Sequence, residues 1–276
     1  MKYYGILNQN EINSEYDVIK ENISIKGFHL YENIIDKDLC LDLIKKSTQL
    51  NDYRSSKYGE DFLIKIGEHN VVRLPLIKEI IFLRKLIMTE MMQNILQSLF
   101  FESESFFILN QQNIVLNHGA IEHNQSKWHR DFPYLKGRIS IPQAFSVLIN
   151  LNDFTESNGA TEILPFSHNL ESTPSKEYIK HNKVIIEAPS GSALIINSQI
   201  FHRAGINKTG QQRIAINNVF TNPLYRQQII IPDAIENDSI FSTKLNDNEK
   251  LILGFNSRSP ISEDEFLVDR NSRLVK

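Results

Sequence analysis

The sequence predicts a mainly β domain, a β-sandwich or jelly roll, with helices packed against it. Helical patterns fill the first hundred residues, and from Phe106 onward short apolar runs alternate with turn residues. Helices first and many strands afterwards is the order of a sheet packed by helices, not of alternating βαβ units. No internal repeat, low-complexity tract or Pro/Gly-rich linker interrupts the 276 residues. A chain of that length suits one large domain or two small ones and can bury a substantial core. The expected layout is a single domain, 1–276, with a helical part over about 1–105, a strand-rich core over 106–222 and an extension over 223–276.

Taken in order, residues 1–26 are of mixed polar character and read as a partly ordered entry. Gly27 to Tyr31 reads as a short strand. Asp36 is a plausible N-cap for a helix whose apolar side, Leu39, Leu41, Leu43 and Ile44, runs to about Leu50. Residues 51–70 are polar and read as a loop. From Leu76 to Leu99 apolar residues recur at three- and four-residue intervals, predicting one long helix with Met91 and Met92 as core filler. The strands come next: an interrupted one over 106–116, then 143–151, 160–164, 184–188, 193–197 and 213–221. Ser157-Asn158-Gly159, Pro189-Ser190-Gly191 and Lys208-Thr209-Gly210 mark turns between them. After Pro223 the chain turns mixed and polar, as an extension or lid around the sheet.

Composition narrows the function classes. Hydrophobic content of 41% and charged content of 23% are those of an ordinary globular protein. A net charge of −3 makes no electrostatic case for nucleic acid or a membrane surface as partner. A lone cysteine, Cys40, excludes an internal disulfide framework and fits a reducing compartment. The first twenty residues lack an apolar run of signal-peptide length, and no stretch approaches a membrane span, so the expected location is cytoplasmic.

The chemistry centres on Trp128-His129-Arg130-Asp131. On a strand, residues i and i+2 share a face, so an imidazole and a carboxylate would point at one spot. Alone, His-x-Asp is a weak signal. Its weight comes from the residues downstream, in order: a strand over 193–197, then His202, a turn at Gly210, and Arg213 inside another apolar run. With His202 as third ligand, two histidines and one carboxylate leave open metal positions opposite, the set used by non-haem Fe(II) oxygenases. Arg213 sits among Ile214, Ala215 and Ile216, where an unpaired guanidinium is costly. It is suited to a two-pronged pair with a co-substrate carboxylate.

These pieces, in this order, resemble the phytanoyl-CoA dioxygenase family of Fe(II)- and 2-oxoglutarate-dependent oxygenases. The matching stretches are Trp128 to Tyr134, Asn150 to Ala160, Leu164-Pro165-Phe166-Ser167-His168, and Phe201 to Asn207 with Arg213 after it. Phe166 and Ser192 depart from the family's usual glycine and aspartate. The resemblance implies a double-stranded β-helix (a cupin-like jelly roll) with helices on its outer face. It implies Fe(II) on His129, Asp131 and His202, 2-oxoglutarate on Arg213, and O2 as co-substrate. The activity it implies couples decarboxylation of 2-oxoglutarate to C–H hydroxylation of a small metabolite. Related halogenases lack the carboxylate that Asp131 provides, which favours hydroxylation. Gln112 resembles a cofactor contact in some relatives, and reads equally as a polar residue at an edge or bulge.

Other polar residues have blander readings. His118 and His123 suit a pocket rim better than a second metal pair, and His168 suits a structural turn. Lys127, Arg130, Lys136 and Arg138 suggest either an anionic substrate or, preferably, a solvated basic loop. Two rival functions stay open: a cupin-like metalloenzyme that does not use 2-oxoglutarate, and a non-catalytic binding module on the same fold.

Overall fold

Two antiparallel sheets face each other, and helices cover the outer face of the larger one. The computed structural model describes residues 11–100, 106–119, 124–132, 142–237 and 244–267. The larger sheet is built from β1 (Phe28–Tyr31), β2 (Val71–Arg73), β3 (Ile108–Asn117), β4 (Ala144–Asn150), β7 (Ala193–Asn197) and β9 (Arg213–Thr221), in the order β1-β7-β4-β9-β3-β2. The smaller has the order β6-β5-β8, from β5 (Thr161–Ile163), β6 (Val184–Ile186) and β8 (His202–Ala204). A single bridge, His129 to His202, extends it beyond β8.

Period-two alternation sorts each long strand into two faces. Phe145, Val147 and Ile149 of β4 join Ile214, Ile216 and Phe220 of β9 in the outer core, against the helices. Leu148, Leu194, Ile196 and Ala215 point the other way and meet Ile163, Ile185 and Ile186 of the smaller sheet. The inner layer is therefore apolar at one end of the sandwich and open at the other. Phe145 is buried and meets Phe100 edge-on at 4.9 Å. Phe145→Ala is expected to cost about 3–5 kcal/mol, read as a lower denaturant midpoint.

The helical half departs from the sequence reading in three places. The second half of the entry is a regular helix: α1 (Glu15–Lys26) starts at a Ser14/Asp17 capping box and buries Ile19 and Ile23. Gly27 ends it at φ +88°, a conformation glycine takes without strain. The predicted loop over 51–70 is largely helix. α2 (Lys37–Tyr58) runs on past Leu50, and α3 (Glu60–Lys65) comes directly after. Only Cys40, Leu43 and Ser47 of α2 are buried, so its polar second half carries no apolar stripe to read.

The long helix over 76–99 is instead a 3₁₀ turn (Pro75–Ile77), α4 (Ile81–Arg84) and α5 (Glu90–Phe100). Leu76, Phe82, Leu83, Leu86 and Ile87 are all fully buried, and compact turns bury them where one straight helix would expose some. Thr89 starts α5 afresh, its Oγ1 accepting from Met92 N at 3.3 Å. After α6 (Lys176–Asn182), the C-terminal stretch forms α7 (Ile231–Glu236), α8 (Asp247–Leu253) and α9 (Glu263–Phe266). Ile231, Ile235, Ile252 and Leu253 join the outer core. Among the described residues, no helix is long and apolar enough to cross a membrane.

Candidate metal site and adjoining cavity

His129 and His202 are tied backbone to backbone, His129 N donating to His202 O at 3.0 Å and His202 N to His129 O at 3.1 Å. That pairing brings the two rings to 4.4 Å between centroids. Each Nδ1 lies on a backbone carbonyl, Lys127 O at 2.7 Å for His129 and Ile200 O at 3.1 Å for His202. A ring donating from Nδ1 keeps the Nε2 lone pair free, the tautomer that a metal needs. Both Nε2 atoms face Asp131 Oδ1, at 3.7 Å from His129 and 3.6 Å from His202. Ligand atoms about 2.1 Å from a common ion sit roughly 3–4 Å apart. The three residues thus offer one ligand atom each to a shared ion. Burial, then the neighbouring His129, holds the His202 imidazole below its ordinary value against the pull of Asp131.

The carboxylate is oriented from below. Ser146 Oγ, buried on the inner face of β4, donates to Asp131 Oδ2 and lies 2.9 Å from the buried Ser198 Oγ. Asp131 N donates to Ser198 O at 3.1 Å. With Oδ2 occupied, Oδ1 is the carboxylate oxygen left free to ligate. Removing such a support weakens metal binding by about 10- to 100-fold. Ser146→Ala is therefore expected to loosen Fe(II) in that range in a chelator competition, and unchanged affinity would contradict this role.

These groups sit on the wall of a cavity of about 820 Å³ at the open end of the sandwich. Arg213 lines the same cavity from β9, only 3% exposed. Its Nη1 donates to Gly159 O, its guanidinium lies 4.2 Å over the Phe154 ring, and its buried Nε has no partner. No carboxylate answers the charge among the described residues, and burial alone pushes its pKa down to about 10. On the same face of β9, Asn217 has a buried Oδ1 without a partner, beside its register partner Asn113 on β3.

The structure does not bring Gln112 to this site. Gln112 shares the helix-facing side of β3 with Ile114 and Leu116. Its Nε2 donates to Phe82 O at 3.0 Å and Asn218 Oδ1 at 2.8 Å, and its Oε1 accepts from Leu76 N at 3.2 Å. It buttresses the buried 3₁₀ turn. The β3 residues that line the cavity are its neighbours Gln111 and Asn113, with Asn110 and Val115.

Within the basic cluster, Arg130 departs from the solvated-loop reading. Arg130 donates to Ser167 O at 3.2 Å and to Leu170 O, and its guanidinium covers the Phe201 ring at 4.2 Å. It braces the Pro165–His168 turn against the segment that carries His129 and Asp131. Lys127 is exposed, while Lys136, Arg138 and His123 lie outside the described residues. His118 is exposed and meets Gln212 Nε2 at 2.8 Å. His168 takes its expected turn role, with Nε2 3.1 Å from Ser24 O. Phe166, at the position of the family's usual glycine, has φ +65°, which explains that glycine.

Sequence reasoning missed Ser146 and Asn217, and noted Gln111 and Asn113 only as polar residues interrupting an apolar strand. The signal for Ser146 was present as a lone hydroxyl within the apolar run Ala144 to Ile149. Outside the metal loop, the same strands are held by Glu162, whose Oε2 accepts from Arg203 and Lys183. Burial pushes that carboxyl up, but the bonds and charges of Arg203 and Lys183 together hold it below its usual range.

Comparison with known proteins agrees with this layout. The Mycobacterium tuberculosis protein Rv1501 is 25% identical over 271 residues, 96% of each chain. The dioxygenase FUM3 of Gibberella moniliformis is 38% identical over 66 residues, 24% of this chain and 21% of that one. The epimerase SnoN, solved with Fe3+, alpha ketoglutarate and nogalamycin RO, superposes with a TM-score of 0.58 at 14% identity, over 78% of this chain and 87% of its own. At that identity the likeness is one of fold, a jelly roll. The family model for phytanoyl-CoA dioxygenase (PhyH) matches residues 25–215, which span the metal loop, β8 and the start of β9. This chain belongs to the phytanoyl-CoA dioxygenase family.

Proposed function

We propose that this protein is an Fe(II)- and 2-oxoglutarate-dependent dioxygenase that hydroxylates a C–H bond of a small-molecule metabolite. His129, Asp131 and His202 would hold the iron, and Arg213 the distal carboxylate of 2-oxoglutarate. The observation that carries this reading is Arg213: a buried cation with an orphaned Nε, on the wall of the cavity that also holds the three ligands. A cupin-like metalloenzyme without a 2-oxo acid has no need for such a cation. A binding module has no need for two imidazoles with free Nε2 atoms converging on one carboxylate oxygen. SnoN's cofactors, on the same fold, point in the same direction.

When bound, iron and 2-oxoglutarate supply the oxygen chemistry, with succinate and CO2 as co-products. The chain's residues supply position. Ser146 and Ser198 fix the carboxylate, the carbonyls of Lys127 and Ile200 fix the imidazole tautomers, and the Arg213 charge orients the co-substrate within a desolvated wall. The test is succinate release from 2-oxoglutarate by the purified protein with and without Fe(II). Release that needs both supports the reading. Iron-dependent substrate oxidation that proceeds without 2-oxoglutarate would replace it with the cupin-like alternative.

A further inference from the structure

The family match ends at residue 215, yet the wall of the cavity does not. Tyr225, Arg226 and Gln228 line it from the stretch just after β9. This arm is fastened along its length. Asn110 Nδ2, on the bulged residue of β3, donates to Arg226 O at 3.1 Å. Gln227 Nε2 donates to Leu109 O at 2.8 Å and Leu253 O at 2.9 Å, and its Oε1 accepts from Ile231 N at 3.0 Å. Arg73 Nη1 reaches Gln228 Oε1 at 3.0 Å. The Tyr225 ring meets Phe132, the neighbour of Asp131, at 5.9 Å and 73°. So many ties to β2, β3 and the metal loop make a rigid platform, not a loose tail.

The charge balance of the cavity indicates what the platform is for. Five arginines line it, Arg73, Arg130, Arg203, Arg213 and Arg226, against a lone acid among the described lining residues, Asp131. Arg73 is answered by Glu68 at 2.7 Å and Arg203 by Glu162 at 2.9 Å. With iron and 2-oxoglutarate in place, the charges of the ion, Asp131, the co-substrate and Arg213 cancel. Arg130 is spent on carbonyls and the Phe201 ring. Arg226, an exposed residue, lines the cavity with no acidic partner among the described residues, in a chain whose net charge is −3. A positive cavity in an acidic protein selects anions.

We propose that Arg226, held on the Tyr225–Gln228 arm, is a specificity residue that takes an anionic group of the substrate, a carboxylate or a phosphate. The inference rests on the dioxygenase reading above, and its test separates the two. The 276-residue chain is loaded anaerobically with Fe(II) and 2-oxoglutarate, and the visible band the two form together is monitored. Inorganic phosphate and, separately, acetate are then titrated at ionic strength held constant with sodium chloride. A saturable shift of the band is expected. A shift with phosphate alone assigns a phosphate, one with acetate alone a carboxylate, and one with both an anion of either kind.

Arg226→Gln is expected to weaken the response about tenfold or more, the size of a charge-assisted contact, and Arg226→Lys to retain part of it. The inference is overturned by no saturable shift, by an equal shift in Arg226→Gln, or by chloride alone reproducing the effect. Loss of the band without a shift would place the anion on Arg213 and also overturn it. Failure of the band to form in the unmodified protein would instead reject the dioxygenase reading, and this inference with it.

Discussion

Arg213→Met is expected to stabilise the protein without its co-substrate while weakening 2-oxoglutarate binding by roughly a hundredfold or more. The two effects have one cause. The guanidinium is almost fully buried, its pKa is pushed down to about 10, and no carboxylate offsets its desolvation among the described residues. A buried charge without a counter-ion destabilises the fold, and an apolar side chain of similar volume relieves it. The Gly159 carbonyl and the Phe154 ring recover part of that cost, so the gain should be about 1–2 kcal/mol, seen as a higher denaturant midpoint. Removing the partner of a buried charge pair costs about 2–5 kcal/mol, and calorimetry with 2-oxoglutarate should report that loss. A variant that is less stable and binds 2-oxoglutarate as well as the parent would mean that Arg213 is structural.

Asp131→Ala is expected to abolish Fe(II) binding at micromolar protein while leaving the fold in place. Asp131 is the carboxylate of the proposed ligand set, and both His Nε2 atoms converge on its Oδ1. Its backbone bond to Ser198 survives the substitution, and Ser146 keeps Ser198 as a hydroxyl partner. The loss should therefore be one of metal affinity, by about a hundredfold or more, with little change in melting temperature. Metal analysis after gel filtration, alongside circular dichroism, separates the two. Retained stoichiometric iron would place the metal elsewhere.

The strand half of the fold was legible because alternation and turn residues mark it. β7 and β9 begin and end at the residues their apolar runs predict. The helical half was less so, since α2 gains its order from a narrow buried stripe and not from a broad apolar face. His129, Asp131 and His202, the ligands proposed above, stood out in the sequence because ligand chemistry admits few residue types and their order along the chain is distinctive. Arg213 was legible as a charge within an apolar run. Gln112 misled for the opposite reason. Its polarity drew notice, but alternation from Ile114 and Leu116 puts it on the helix side, with its amide committed to Phe82, Leu76 and Asn218. A buried polar residue signals a partner, and only tertiary structure says which. The Tyr225–Gln228 arm carried no sequence signal, because its place is set by contacts with Leu109, Asn110 and Arg73, more than a hundred residues earlier.

The most direct measurement is an anaerobic titration of the metal-free protein with Fe(II) and 2-oxoglutarate, monitored in the visible range. The expected result is an absorption band that appears only when both are present, is lost in Asp131→Ala and weakens in Arg213→Met. Iron binding with no band on adding 2-oxoglutarate, or no iron binding at all, would contradict the assignment of His129, Asp131, His202 and Arg213.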